Sequence, residues 1–151
     1  MLIVRYRRYF PIVLNAIKRL KKRDGLASYT NSLKGPNLSE LNGKNILKSI
    51  KMLKMMAKKQ AKMHKYEIRG IESQKDAFKR ILKRVNHLSE LRKSEIMKYL
   101  ELLPEGNKIC HNDFHPENII LSKNKLYVVD WANSTSGNPN GDVARTLYLQ
   151  G

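Results

Sequence analysis

The chain has 151 residues, the size of one ordinary domain, and its 41% hydrophobic and 28% charged residues exclude a disordered polyelectrolyte. A single cysteine, Cys110, excludes an internal disulfide and fits a reducing compartment. The net charge of +17 invites a polyanion partner, yet residues 1–103 hold 26 Lys/Arg against 8 Asp/Glu while residues 104–151 hold 4 against 5, so the excess reads as solvated lysine-rich faces.

The first residues, "MLIVRYRRYFPIVLNAIKRLKKR", mix basic with apolar positions and lack the uninterrupted apolar core of a signal peptide. No apolar run approaches the ~20 residues needed to cross a bilayer. The expectation is a soluble, cytoplasmic protein with no membrane partner. Residues 1–23 are compatible with a short helix or with strand material. Asp24-Gly25 marks a turn before the extended run "LASYTNSL", and Gly35-Pro36 in "KGPNLSEL" marks a linker or hinge.

From Gly43 the period changes. Ile46, Ile50, Leu53, Ala57, Ala61 and His64 recur at steps of three and four, which predicts an amphipathic helix with lysines on its other faces. His64 on that apolar row reads as a satisfied core histidine. A second helix is predicted near 74–88 with Phe78, Ile81, Leu82, Val85 and Leu88 on one face. A third is predicted over about 92–103 through Ile96, Tyr99, Leu100 and Leu103, stopped by Pro104 and Gly106. Short β-prone pieces follow, "KIC", "IIL" and "LYVVD", with a turn at Lys123-Asn124. Asp142 is placed as the N-cap of a last helix, "VARTLYLQ".

The stretch "KICHNDFHPENIIL" carries the chemistry. Asp113, Asn118 and Asp130 are oxygen donors suited to a hard cation such as Mg²⁺. If "IIL" and "LYVV" pair as a hairpin, its open end brings Asn118 and Asp130 together, and Asp113 can face the same pocket. One carboxylate would then be free to orient a hydroxyl while the other two groups hold the ion. Zinc is the competing reading of His111 and His115, but neighbouring Cys110 and His111 tend to point apart and no second cysteine exists. His111 is expected to hydrogen-bond backbone, and Cys110 to be a small buried hydrophobe.

The spacing His111-x-Asp113-x-x-x-x-Asn118 has the catalytic-loop pattern of protein kinases, with Asp130 where a second metal-binding aspartate belongs. The details depart from eukaryotic protein kinases. His115 stands where those carry lysine, Trp131-Ala132 follows Asp130 in place of Phe-Gly, and no A-P-E segment follows. By contrast, "CHNDFHPENIIL" and "VVDWANSTSGNPNGDVARTLYL" resemble the aminoglycoside phosphotransferase family, which includes choline kinase-like enzymes. The resemblance covers about residues 24–151 and is most specific over 104–149.

That resemblance implies an α+β, protein-kinase-like fold, mostly the helical C-lobe with a short β-hairpin at the catalytic site. Residues 1–33 would be a remnant of the N-lobe, 34–43 the interlobe hinge, and 44–151 a C-lobe incomplete at its C-terminus. It implies transfer of the ATP γ-phosphate, with Mg²⁺, to a hydroxyl of a small molecule. Asp113 would be the catalytic carboxylate and Asn118 and Asp130 the metal ligands. His111, His115 and Asp142 would support the loop, and Pro36, Asn37 and Leu38 would lie near the adenine. The sequence contains no Gly-x-Gly to cover phosphates, so the chain is expected to be a fragment without most of its nucleotide clamp. The alternatives are an inactive kinase-like binding or regulatory protein and, less favoured, a basic nucleic-acid-binding module.

Overall fold

The computed structural model describes residues 35–41 and 46–150. The readings of residues 1–33, including the turn at Asp24-Gly25 and the extended run after it, lie outside the described residues. A short helix α1 (Leu38–Leu41) sits in the predicted hinge, and three longer helices follow: α2 (Ile46–Met63), α3 (Gln74–Arg84) and α4 (Glu90–Leu102). Strand β1 (Lys108–Cys110) leads through a polar loop into a 3₁₀ turn (Pro116–Asn118), then β2 (Ile119–Ser122) and β3 (Lys125–Val128). Strand β4 (Thr135–Gly137) and helix α5 (Pro139–Gln150) complete an α+β arrangement. Among the described residues no helix is long and apolar enough to cross a membrane.

Local chemistry explains the boundaries. Ser73 caps α3 by accepting the Asp76 N–H at 3.0 Å, and Ser89 caps α4 by accepting the Arg92 N–H at 3.3 Å. Lys83 and Arg84 end α3 with the charge its C-terminal carbonyls favour. The helix stops at Arg84, short of the expected 88, where Val85 turns extended and its N–H donates back to Leu82 O at 3.2 Å. Helix α4 starts two residues before the expected 92, because Ser89 supplies the cap. Helix α5 begins at Pro139, whose missing N–H costs nothing at a first helical position, and Asn138 Oδ1 accepts the Asn140 N–H at 2.9 Å. Asp142 is thus not the N-cap; it lies in the first turn and turns its carboxylate elsewhere.

The predicted face of α2 is the larger correction. Ile46 is 73% exposed and Ile50 56%, while Met52, Met56, Gln60 and Met63 are the buried row. Both rows are apolar, and a reading of branched aliphatics favours the isoleucines. The methionine row is the one the loop and hairpin pack upon. It joins Leu38, Ile68, Ile109, Phe114 and Ile119 in a single core cluster, with Leu121, Leu126, Val128 and Trp131 against it. In α3 and α4 the expected faces are likewise mostly peripheral: Ile81 is 52% and Tyr99 65% exposed, while Leu100 of the predicted α4 face is buried and so is Ala77, which was not on the predicted α3 face.

The sheets are two antiparallel pairs. Strand β1 pairs with β4, which the sequence reading did not foresee, in the register Lys108↔Gly137 to Cys110↔Thr135. Strands β2 and β3 form the predicted hairpin, Ile119↔Val128 to Ser122↔Lys125. Lys123 and Asn124 both take positive φ, 48° and 60°, the two-residue turn whose twist matches a right-handed hairpin. The hinge is laid on this hairpin: the Leu121 N–H donates to Pro36 O at 2.9 Å. A Cβ on Gly35 would run into the Leu121 carbonyl, so this close approach requires glycine.

Candidate active site

The loop between β1 and the 3₁₀ turn is anchored by its own apolar members. Phe114 and His111 are both fully buried. The His111 Nε2–H donates to Val129 O at 2.9 Å, and its ring meets Trp131 edge-on at a centroid distance of 4.7 Å. Burial lowers the His111 pKa, against the opposing pull of the Val129 carbonyl and the carboxylates of Asp142, Asp113 and Asp130. Nδ1 is buried with no hydrogen-bond partner among the described residues. This is a neutral imidazole bracing the loop against the end of β3. Cys110 beside it is fully buried, and burial, with Asp142 second, pushes its thiol up to about 12. It is an inert packing group, as expected.

Asn112 takes a left-handed backbone conformation, φ 61°, which asparagine tolerates better than most residues. Each of its polar atoms is engaged. Its N–H donates to Asp142 Oδ1 at 2.5 Å and its carbonyl accepts from Arg145 Nε. Its Nδ2 donates to Asn133 O at 2.9 Å and Thr135 Oγ1 at 2.8 Å, and its Oδ1 accepts from Gln74 Nε2 at 2.9 Å.

Asp113 follows, half-buried. Asn118 Nδ2 donates to the Asp113 carbonyl at 2.9 Å and approaches Asp113 Oδ2 at 3.3 Å. His115 Nε2 lies 3.0 Å from that same Nδ2 and 3.8 Å from Asp113 Oδ1. The amide end of Asn118 is therefore committed to the loop, and its Oδ1 takes no hydrogen bond among the described residues. The Val129 N–H donates to Asn118 O at 3.0 Å, so the open end of the hairpin puts Asp130 just beyond Asn118, as the sequence led one to expect. Asp130 is exposed, with φ 53°, and makes no ion pair among the described residues. Its Oδ1 has only the Ala132 N–H at 3.4 Å.

Asp142 supports this loop from α5. It is fully buried; its Oδ2 lies 2.7 Å from His64 Nε2 and accepts from Gln60 Nε2 at 3.1 Å. Burial alone would raise its pKa. The hydrogen bonds from His64, the Asn112 N–H and Gln60 outweigh it and hold the carboxyl below the usual range. His64 is thus the satisfied interior histidine expected, but its partner is the residue that grips the loop. Gln60, Gln74, Asn112 and Arg145 were missed by sequence reasoning. Gln60 had left a signal: a polar residue on the inward row, four before His64.

Of the remaining predicted positions, Leu38 is 3% exposed in the core and serves as an anchor. Pro36 and Asn37 lie on the surface side of the same short segment, beside Ile120 and Leu121 of β2. The donor set fits a hard divalent cation: the amide oxygen of Asn118 and the carboxylate of Asp130, which among the described residues take no hydrogen bond and no ion pair respectively. Asp113 is left with a carboxylate oriented by Asn118. Such a site can hold a cation at one end and a hydroxyl at the other.

Residues 29–151 match the family model described as the phosphotransferase enzyme family. No curated protein and no solved structure gives a significant match.

Proposed function

The chain belongs to the phosphotransferase enzyme family, and from that premise we propose that it moves the γ-phosphate of Mg²⁺-ATP to a hydroxyl of a small molecule. Membership supports a protein-kinase-like α+β fold, in which residues 44–151 would be the helical C-lobe and 34–43 the hinge. The observation that carries the reading is the convergence of Asp113 and Asn118 in one hydrogen-bonded loop, with Asp130 next to it at the open end of the hairpin.

Asp113 orients the acceptor hydroxyl and takes its proton as the hydroxyl oxygen bonds to the γ-phosphorus and the bond from that phosphorus to the oxygen bridging it to the β-phosphate breaks, ADP leaving with that electron pair. Groups in that role contribute about 10²–10⁴-fold in rate. Asn118 and Asp130 would hold Mg²⁺, which when bound neutralises charge on the phosphate oxygens. The Asn118 amide is fixed by the Asp113 carbonyl, so its oxygen and the Asp113 carboxylate keep a set relation. His111 and Asp142 hold the loop from behind, and His115 braces Asn118 and Asp113 from beside. Pro36 and Asn37 border the nucleotide.

The test is Mg²⁺-ATP turnover and nucleotide binding, with a panel of small hydroxylated acceptors, in three variants. Asp113→Asn lowers turnover roughly 10²–10⁴-fold with nucleotide affinity nearly unchanged. Asp130→Asn weakens metal-dependent nucleotide binding, because a charged ligand is lost, and Asn118→Ala does so more mildly. If Asp113→Asn abolished nucleotide binding while Asp130→Asn left binding and turnover intact, the roles assigned here would be wrong.

A further inference from the structure

We propose that Gln74 and Arg145 are positioning residues for Asp113, acting through Asn112; the catalytic half of this inference rests on the role of Asp113 given above. Gln74 lies outside the stretches that carry the family resemblance, and Arg145 lies within the second of them with no role assigned to it so far. Arg145 sits on α5 three residues after Asp142, so one face of that helix presents an acceptor and a donor to the same target. Asp142 Oδ1 accepts the Asn112 N–H, and Arg145 Nε donates to the Asn112 carbonyl. The two bonds grip both ends of a single residue. That carbonyl belongs to the peptide plane joining Asn112 to Asp113. Holding it sets the direction in which the Asp113 side chain leaves the backbone.

Gln74 performs the matching task from α3. It is 7% exposed, its Nε2 donates to Asn112 Oδ1, and its Oε1 accepts the Asn138 N–H at 3.2 Å. Both ends of the amide are used, which fixes its orientation. A Cβ at Gly137 or Gly141 would meet this side chain, so β4 and α5 close on it directly. Asn112 is thus locked in a left-handed conformation by elements far apart in sequence. A free asparagine leaves that conformation readily for the broader allowed regions. Since a misplacement of about 1 Å at a reacting group costs roughly 10²-fold in rate, a lock one residue from the catalytic carboxylate acts on turnover directly.

The experiment compares Arg145→Met, Arg145→Lys and Gln74→Met with the wild-type chain, following the Asp113 carboxyl and Asn118 amide resonances by NMR. The methyl resonances of Met56, Ile68 and Ile119 report the core in the same samples. Both methionine variants are expected to shift the Asp113 and Asn118 signals while the core methyls stay in place. Arg145→Lys, which keeps a donor, shifts Asp113 less than Arg145→Met. Wherever turnover is measured, the methionine variants lower kcat and leave the KM for ATP unchanged. An Asp113 resonance unmoved by both methionine variants, or moved only together with the core methyls, overturns the proposal. If Gln74→Met fails to fold, the Arg145 pair decides alone. Wild-type turnover in Asp113→Asn would instead overturn the catalytic premise, whatever the resonances show.

Discussion

His111 shows how one buried side chain ties the loop to solvent conditions. It is fully enclosed, with one nitrogen bonded and the other without a hydrogen-bond partner among the described residues, and burial depresses its pKa. A base whose folded pKa is lowered contributes stability that is complete above the unfolded value of about 6.5. That contribution is lost as pH falls from there toward the folded value, because the unfolded chain binds the proton and the folded chain does not. The slope from this one group reaches about 1.4 kcal/mol per pH unit. Asp142 contributes no slope in that window: its carboxyl, held below the usual range, is ionised in both states and matters only in more acidic solution. Unfolding free energy measured by denaturant between about pH 6.5 and 5 should therefore fall more steeply for wild type than for His111→Gln. The rest of the chain is the same in both proteins, so the difference isolates this residue, and equal slopes would rule out a buried neutral imidazole.

At the scale of elements, α2 supplies the sharpest contrast between its two apolar rows. Met56 is 2% exposed in the core cluster, and Leu53 is 46% exposed. Met56→Ala should cost roughly 2–5 kcal/mol as a buried truncation, whereas Leu53→Ala should stay within about 0.5 kcal/mol as a surface change. Chemical denaturation of both variants checks this, and a larger loss from Leu53→Ala would restore the row that periodicity favoured. Why periodicity misled here is physical: it measures how apolar residues recur, and α2 is apolar on two adjoining rows. The choice between them is made by Phe114, Ile119 and Leu38, which arrive from distant parts of the chain. The hairpin was legible because its information is local. Asn124 tolerates the positive φ such a turn requires, and the residues flanking Lys123-Asn124 are β-prone. The nearness of Asp113, Asn118 and Asp130 was legible for the same reason, since loop, turn and hairpin are consecutive. The grip on Asn112 was not, because Gln74 and Arg145 reach it across 38 and 33 residues. Strand β4 was missed likewise: three small residues make a strand only because β1 lies beside them.

Across the whole molecule, charge is the dominant unbalanced quantity. There are 30 Lys/Arg against 13 Asp/Glu. Several of those carboxylates are already in surface ion pairs, among them Glu72 with Arg80, Glu101 with Lys79 and Glu67 with Lys108. Salt acts on the two populations in opposite directions. It weakens each exposed pair, which is worth at most about 1 kcal/mol, and it relieves repulsion among cations that have no carboxylate to meet. The repulsion is spread over the chain and acts across distances beyond about 10 Å, the range that 0.1 M salt screens. With more than twice as many cations as anions, relief should win. The thermal midpoint is therefore expected to rise as sodium chloride increases from about 0.02 to 0.5 M, the interval over which the Debye length falls below typical charge separations. The reading of the lysines as solvated faces adds a second condition: the rise should not require a polyanion. If the midpoint instead fell with salt, the ion pairs would outweigh the net charge. If only nucleic acid raised it, and sodium chloride did not, the basic faces would have to be reassigned as a binding surface.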